Sequence, residues 1–315
     1  MDTVLNVTVP VFGIILAGYL AGRAGILGAL ASDALNRFVY WIALPPVLFL
    51  GCARRALADF FNLDFMGAFL GAAMLLYGVG CLLGWLLHRE SARVLAMQGL
   101  AASFSNTGYM GIPLFLTAFG PAYLPPVILA TVLVSTVMIG FAIVFLEIAT
   151  HFRHGLGPVA LKVGRALVFN PLIVAPTLGV VWSVSTHAAP LPQSLTTFAE
   201  LLGASAGPCA LFAVGLFLAS SPFEARWSEL GWIVALKLLW HPFLVWLLIQ
   251  SLFPLENEWA TAALILAALP TGALPFVLAQ QYDVYVRPTA AVILVSTVLS
   301  TLTLSVLLVV FQAHG

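Results

Sequence analysis

Apolar runs of roughly 20 residues recur from one end of the chain to the other, the length a helix needs to cross a hydrocarbon layer about 30 Å thick. Their limits fall near 4–22, 32–52, 64–87, 94–119, 125–148, 165–186, 196–220, 229–251, 259–282 and 288–312. This pattern predicts an all-α membrane protein with ten transmembrane helices and short connections. The longest polar connection runs from His151 through Lys162 to Arg165. It divides the chain into a first unit at 1–150, a cytoplasmic linker at 151–164 and a second unit at 165–315. Asp2 and the lack of a basic leader make Val4–Ala21 read as a retained span, not a cleaved signal peptide.

Composition sharpens this picture. Apolar residues make up 62% of the chain and charged residues 8%, against about 25% charged in a soluble domain. The formal net charge is zero, and no basic, aromatic-rich patch is present, so nucleic acid is excluded as a partner. The loops after odd-numbered spans hold Arg23, Arg37, Arg89, Arg93, Arg153, Lys162, Arg165, Arg226 and Arg287. The opposite loops hold only Arg54 and Arg55. Positive residues stay on the cytoplasmic side, so both termini are expected outside. Cys52, Cys81 and Cys209 lack metal-ligand spacing; neither a metal nor another cofactor is expected.

The two halves echo each other. Leu133-Val134-Ser135-Thr136-Val137 recurs as Leu294-Val295-Ser296-Thr297-Val298, and Gly111-Ile112-Pro113-Leu114-Phe115 aligns with Ala273-Leu274-Pro275-Phe276-Val277. Each half has an odd number of spans, so the second must enter the bilayer upside down. Two inverted five-helix repeats are a plan of secondary transporters.

Spans 4 and 9 carry Gly and Pro at mid-depth: Asn106-Thr107-Gly108-Tyr109-Met110-Gly111-Ile112-Pro113 and Pro270-Thr271-Gly272-Ala273-Leu274-Pro275. Both residue types weaken a continuous helix. Arg93 to Asn106 is about 20 Å of helix, and Glu258 to Pro270 about 18 Å. Broken backbone at that depth is tolerated only inside protein or around a polar cavity, so the two breaks are expected to cross there. Pro113 and Pro275 suit the first residue of each second half-helix, whose free N–H groups would favour an anion. The Asn106 amide suits a substrate contact or a half-helix cap, and Thr271 offers a hydroxyl. Pro45 in span 2 and Ser205 in span 7 sit beside small residues and flank the crossing as contacts, although packing through small residues explains them equally well.

Lys237 and His241 lie one turn apart inside span 8. They suit ion or proton coupling, or else Lys237 snorkels to the surface. Glu147 reads as a solvated helix end, Asp283 and Arg287 as a loop pair, and Arg54 and Arg55 as partners of Asp59 and Asp64 or, alternatively, as attractors of anions at the outer mouth.

At the segments Asn106–Leu114, Leu269–Tyr282, Ala206–Leu218 and Lys237–Pro242 the sequence resembles the auxin efflux carrier family, over essentially its whole length. That family includes bacterial organic-acid carriers and the plant PIN-FORMED exporters. The resemblance implies ten helices in two inverted repeats, crossing helices 4 and 9, elevator-like alternating access, and organic anions such as malonate, oxalate or auxin as substrates. It also admits a homodimer. Carried onto this chain, Asn106 becomes a substrate contact, and Pro113 and Pro275 become the crossover prolines. The short central loop and the pair Thr271-Gly272 depart from the plant exporters.

The expected function is a secondary carrier of small carboxylates in a bacterial inner membrane. The expected substrate contacts are Asn106, Thr107, Gly108, Tyr109, Pro113, Pro270, Thr271, Gly272, Pro275, Ser205 and Pro45. A sodium-coupled bile-acid-type symporter and a transporter-fold sensor that binds without flux are the alternatives. No HExxH, GxGD or nucleophile–base pair supports an enzyme.

Overall fold

The computed structural model describes residues 2–55, 61–151, 164–165, 168–220 and 226–312. Most of the expected linker, with Arg153 and Lys162, lies outside them, as does Asp59. The described residues are helical and form no strand. Six helical stretches among them are long and apolar enough to cross a membrane: Leu30–Ala53, Leu63–His88, Pro121–Thr150, Gln193–Ser220, Trp227–Ser251 and Val286–Val309. Val9–Arg23 and Pro171–Thr186 are shorter apolar helices.

In chain order the α-helices are α1 (Asp2–Arg23), α2 (Ala29–Phe38), α3 (Leu44–Ala53), α4 (Leu63–His88), α5 (Ala92–Ser103), α6 (Ile112–Ala118), α7 (Leu124–Leu133), α8 (Ile139–His151), α9 (Pro171–Thr186), α10 (Gln193–Ser220), α11 (Trp227–Ala235), α12 (His241–Ser251), α13 (Asn257–Ala268), α14 (Leu274–Tyr282) and α15 (Val286–Gln312). Wide π turns at Val39–Ala43, Thr107–Gly111 and Leu236–Trp240 lead directly into segments that carry proline near their start, at Pro45, Pro113 and Pro242. The reason is local. Proline has no N–H, and its ring collides with the carbonyl four residues back; a wider turn moves that carbonyl away.

Large apolar side chains such as Leu20, Trp41, Leu82, Leu178, Leu201 and Leu302 are exposed. A surface of that kind is stable against lipid tails, not water. The half-helices α5 and α13 are the opposite case. Ala96, Ala101, Ala102, Ala262, Ala263, Ala267 and Ala268 are all fully buried. Small residues let backbones approach closely where no hydrophobic force drives helices together in lipid.

Helices from the two ends of the chain interleave. α1 packs along α10, and α3 packs along α9. At the first of these seams the backbones touch: a Cβ on Gly18 would lie 2.2 Å from the Phe212 carbonyl oxygen, and one on Gly215 would lie 2.0 Å from that of Ile15.

Candidate functional site

The site begins with two helices that stop. α5 ends at Ser103 and α13 at Ala268, each in the protein interior, and each would strand its last carbonyls without donors. The extended residues beyond them solve part of this by pairing with each other. Ser105 and Thr271 form an antiparallel bridge. The Asn106 N–H donates to the Pro270 carbonyl at 2.9 Å, and the Gly272 N–H donates to the Phe104 carbonyl at 3.2 Å. Gly272 lets the two segments come close: a Cβ there would sit 2.9 Å from the Phe104 ring, which would have to shift.

Side chains satisfy more of these groups. The Thr271 hydroxyl donates to the Ala101 carbonyl at 2.8 Å, and the Thr271 N–H donates to the Ser296 hydroxyl oxygen at 3.2 Å. Lys237 Nζ donates to the Ala267 carbonyl at 2.6 Å. Backbone that would otherwise be left unpaired is therefore tied to spans far away in sequence.

Beyond the first break the chain recoils at Thr107, not at Pro113. The Asn106 carbonyl accepts from both the Met110 N–H at 3.2 Å and the Gly111 N–H at 3.0 Å, closing the π turn Thr107–Gly111 ahead of α6. The proline stands one turn inside, and because the Thr107 N–H already donates to the Ser105 carbonyl at 2.9 Å, the free donors of the second half-helix start at Gly108 and Tyr109. In the second half, Pro275 does stand in the first turn of α14.

Beside this end is a cavity with about 280 Å³ of atom-free space, its open mouth included. Its polar wall is Ser105, Asn106, Thr107, Gly108, Thr131 and Ser135, and its apolar wall includes Phe104, Val134, Leu172 and Leu274. The Ser105 and Thr107 hydroxyls are buried without a hydrogen-bond partner. Among the described residues no cluster of His, Cys, Asp and Glu could hold a metal ion.

Of the residues singled out in the sequence, Asn106, Thr107, Gly108 and Tyr109 line this cavity. The Tyr109 hydroxyl donates to the Asn36 carbonyl at 3.2 Å. Pro113, Pro270, Thr271, Gly272 and Pro275 are buried in the frame of the crossing, outside the cavity wall. Ser205 and Pro45 are half-buried on α10 and α3, away from that wall, and the Ser205 hydroxyl donates within its own helix to the Leu202 carbonyl at 2.6 Å. Ser105, Thr131, Ser135 and Leu172 were not singled out. Ser135 had a signal: it belongs to the repeated pentapeptide whose other copy supplies Ser296.

Lys237 and His241 are fully buried, with Lys237 Nζ 3.1 Å from His241 Nδ1, so the snorkelling alternative fails. The His241 ring stacks on Phe69. Glu147 is not solvated: it is buried, and its carboxylate accepts from the Tyr282 hydroxyl at 2.6 Å. Arg93 donates to the Tyr282 carbonyl at 2.5 Å. Nearby on the same side, buried Glu229 accepts from both Gln98 and Tyr285. Burial first, and then the Glu229 carboxylate, hold the Tyr285 phenol well above its usual range. Arg54 pairs with Glu200 at 2.5 Å and Arg55 donates to the carbonyls of Pro121 and Ala122, so neither uses Asp64.

An all-helical membrane protein with interrupted helices paired around a polar cavity belongs to the class of membrane transporters. The chain is a member of the membrane transport protein family, whose model matches residues 3–154 and 156–308. It is 32% identical over 313 residues to a Rhizobium meliloti (strain 1021) protein whose name proposes it as a malonate transporter, covering 99% of this chain and 97% of that one. It is 25% identical over 308 residues to an uncharacterized transporter of Methanothermobacter thermautotrophicus, covering 96% and 95%. The auxin efflux carrier component 8 of Arabidopsis thaliana is 31% identical over 133 residues, which cover 40% of this chain and 35% of the plant protein. The chain is therefore a transporter, not an enzyme.

Proposed function

We propose that this protein is a secondary carrier of small organic anions in a bacterial inner membrane, acting by elevator-type alternating access. In this reading the units at 1–150 and 165–315 are inverted five-helix repeats joined by the linker at 151–164, with spans 4 and 9 crossing and both termini outside. One observation carries the chemistry: the unpartnered Ser105 and Thr107 hydroxyls stand beside the donor-rich start of a half-helix. Such an end attracts negative charge, and a carboxylate would satisfy hydroxyl donors that are costly to bury unpaired. The name borne by the Rhizobium relative supports a carboxylate solute.

A thermal-shift screen of purified protein against mono- and dicarboxylates, repeated with Asn106→Ala, tests the reading. A stabilising anion is expected, and its effect should vanish with the substitution. A shift that survives in Asn106→Ala removes that residue from the site, and binding without flux in liposomes would favour a sensor. Impermeant thiol labelling of a cysteine placed at either terminus checks the orientation: labelling from outside the cell is expected.

A further inference from the structure

Leu133-Val134-Ser135-Thr136-Val137 and Leu294-Val295-Ser296-Thr297-Val298 are one pentapeptide used twice, and their serines stand in opposite circumstances. The Ser296 hydroxyl is fully engaged: it donates to the Ile293 carbonyl and accepts from the Thr271 N–H, each at 3.2 Å. Ser135 is also buried, but it lines the cavity, and among the described residues its hydroxyl has no hydrogen-bond partner.

Aligning Pro113 with Pro275 extends the comparison to the two breaks. Gly108 and Tyr109 then fall opposite Pro270 and Thr271. At the first break both N–H groups are free, at the start of the unbroken helical stretch from Thr107 to Ala118. Gly108 lines the cavity, and having no side chain it does so with its backbone. At the second break neither donor is available: Pro270 has no N–H, and that of Thr271 is held by Ser296. The side chains differ in the same sense. Ser105, Asn106 and Thr107 stand opposite Ala267, Ala268 and Leu269, and the Ser105 and Thr107 hydroxyls are two further unpaired donors at the cavity wall. Buried polar groups left unpaired cost free energy. The copy that leaves them so is the one that faces open space.

We infer that the solute's carboxylate is bound by the first break alone, in the place that the Ser296–Thr271 bond fills at the second. The carboxylate accepts from the Gly108 and Tyr109 N–H groups and from the Ser135 hydroxyl. The inference rests on the anion-carrier reading above. It adds Ser135 to the contacts and removes the second break from them, leaving Pro270 and Thr271 as frame. The cavity wall contains no Asp, Glu, Lys, Arg or His, so neutral donors must do the holding. Hydrogen bonds to an ionised acceptor are roughly twice as strong as neutral ones, and several converge here.

The test is a thermal-shift titration of the full chain in detergent with malonate, succinate, propionate and lactate as choline salts. For each acid that stabilises the wild type, Ser135→Ala should raise the half-saturating concentration about tenfold or more, the worth of one hydrogen bond to a charged group. Its melting temperature without acid should not fall, since the hydroxyl makes no bond within the protein. Ser296→Ala should do the reverse. It strands the Thr271 N–H and lowers the melting temperature without acid, while the half-saturating concentration stays within about twofold of wild type, as for sites that share no partner. If Ser296→Ala does not fold, Ser135→Ala decides by itself. An undiminished response in Ser135→Ala, or a folded Ser296→Ala that weakens binding as much, overturns the inference and leaves the anion-carrier reading standing. A wild type that answers none of the four acids overturns that reading and this inference with it.

Discussion

The Thr271 hydroxyl donates to the Ala101 carbonyl, joining two residues 170 positions apart across the crossing. The bond caps the end of α5 from the broken part of the other helix. Thr271→Val keeps the shape and removes the donor, leaving a buried carbonyl unsatisfied. We expect a loss of about 1–3 kcal/mol, read by denaturation in detergent, with Thr271→Ser close to wild type. A Thr271→Val protein as stable as wild type would show that the cap contributes nothing.

Ser105 and Thr107 should behave in the opposite way. Their hydroxyls are buried and unpartnered, so before an anion binds they contribute a desolvation cost and no bond. Ser105→Ala and Thr107→Val are expected to leave stability unchanged or raise it by about 1 kcal/mol. The concentration of stabilising anion needed for half the thermal shift should rise at the same time. Stability and binding moving together in both variants would place these hydroxyls in the frame, not the site.

The seam between α1 and α10 sets a third test. A Cβ on Gly215 would meet the Ile15 carbonyl at 2.0 Å, a contact with backbone that no rotamer can relieve. Gly215→Ala should cost at least about 1–3 kcal/mol and lower the yield of monodisperse protein. Gly13 lies on the same helix as Gly18, but a Cβ there would meet nothing within 4 Å. Gly13→Ala should be neutral or gain up to about 1 kcal/mol from helix propensity.

Glu229 gathers donors from two other parts of the chain, Gln98 and Tyr285. Glu229→Leu strands both donors in the interior and should cost several times what Tyr285→Phe costs, each unsatisfied group being worth about 1–3 kcal/mol. Thermal denaturation of the two variants and of Gln98→Leu checks the order. Equal stability of Glu229→Leu and wild type would mean that water reaches the cluster.

Much of the site's location was legible because glycine and proline act locally. Proline alone does not decide a break, since Pro176 and Pro208 lie inside continuous helices; the glycine and proline clustered together at 108–113 and 270–275 pointed to the two broken segments. The exact point of recoil was less legible. It depends on the Asn106 carbonyl accepting two N–H groups at once, an arrangement that no propensity encodes. Glu147 and Arg54 were misread for a related reason. A carboxylate near the end of an apolar run is ordinarily solvated and an arginine there ordinarily pairs with acids close by in sequence, whereas their partners, Tyr282 and Glu200, lie 135 and 146 residues away.

Sequence alone determined the membrane class, the resemblance to a carrier family and the two places where helices break. These follow from run length, charge placement and the chemistry of Gly and Pro, all short-range properties. Only the tertiary structure decided which groups are satisfied: that Thr271 serves as a cap, that Ser105 and Thr107 are left without partners, and that Lys237 holds the end of α13. Hydrogen-bond satisfaction in a dry interior depends on what stands within about 3 Å, and residues distant in sequence supply it.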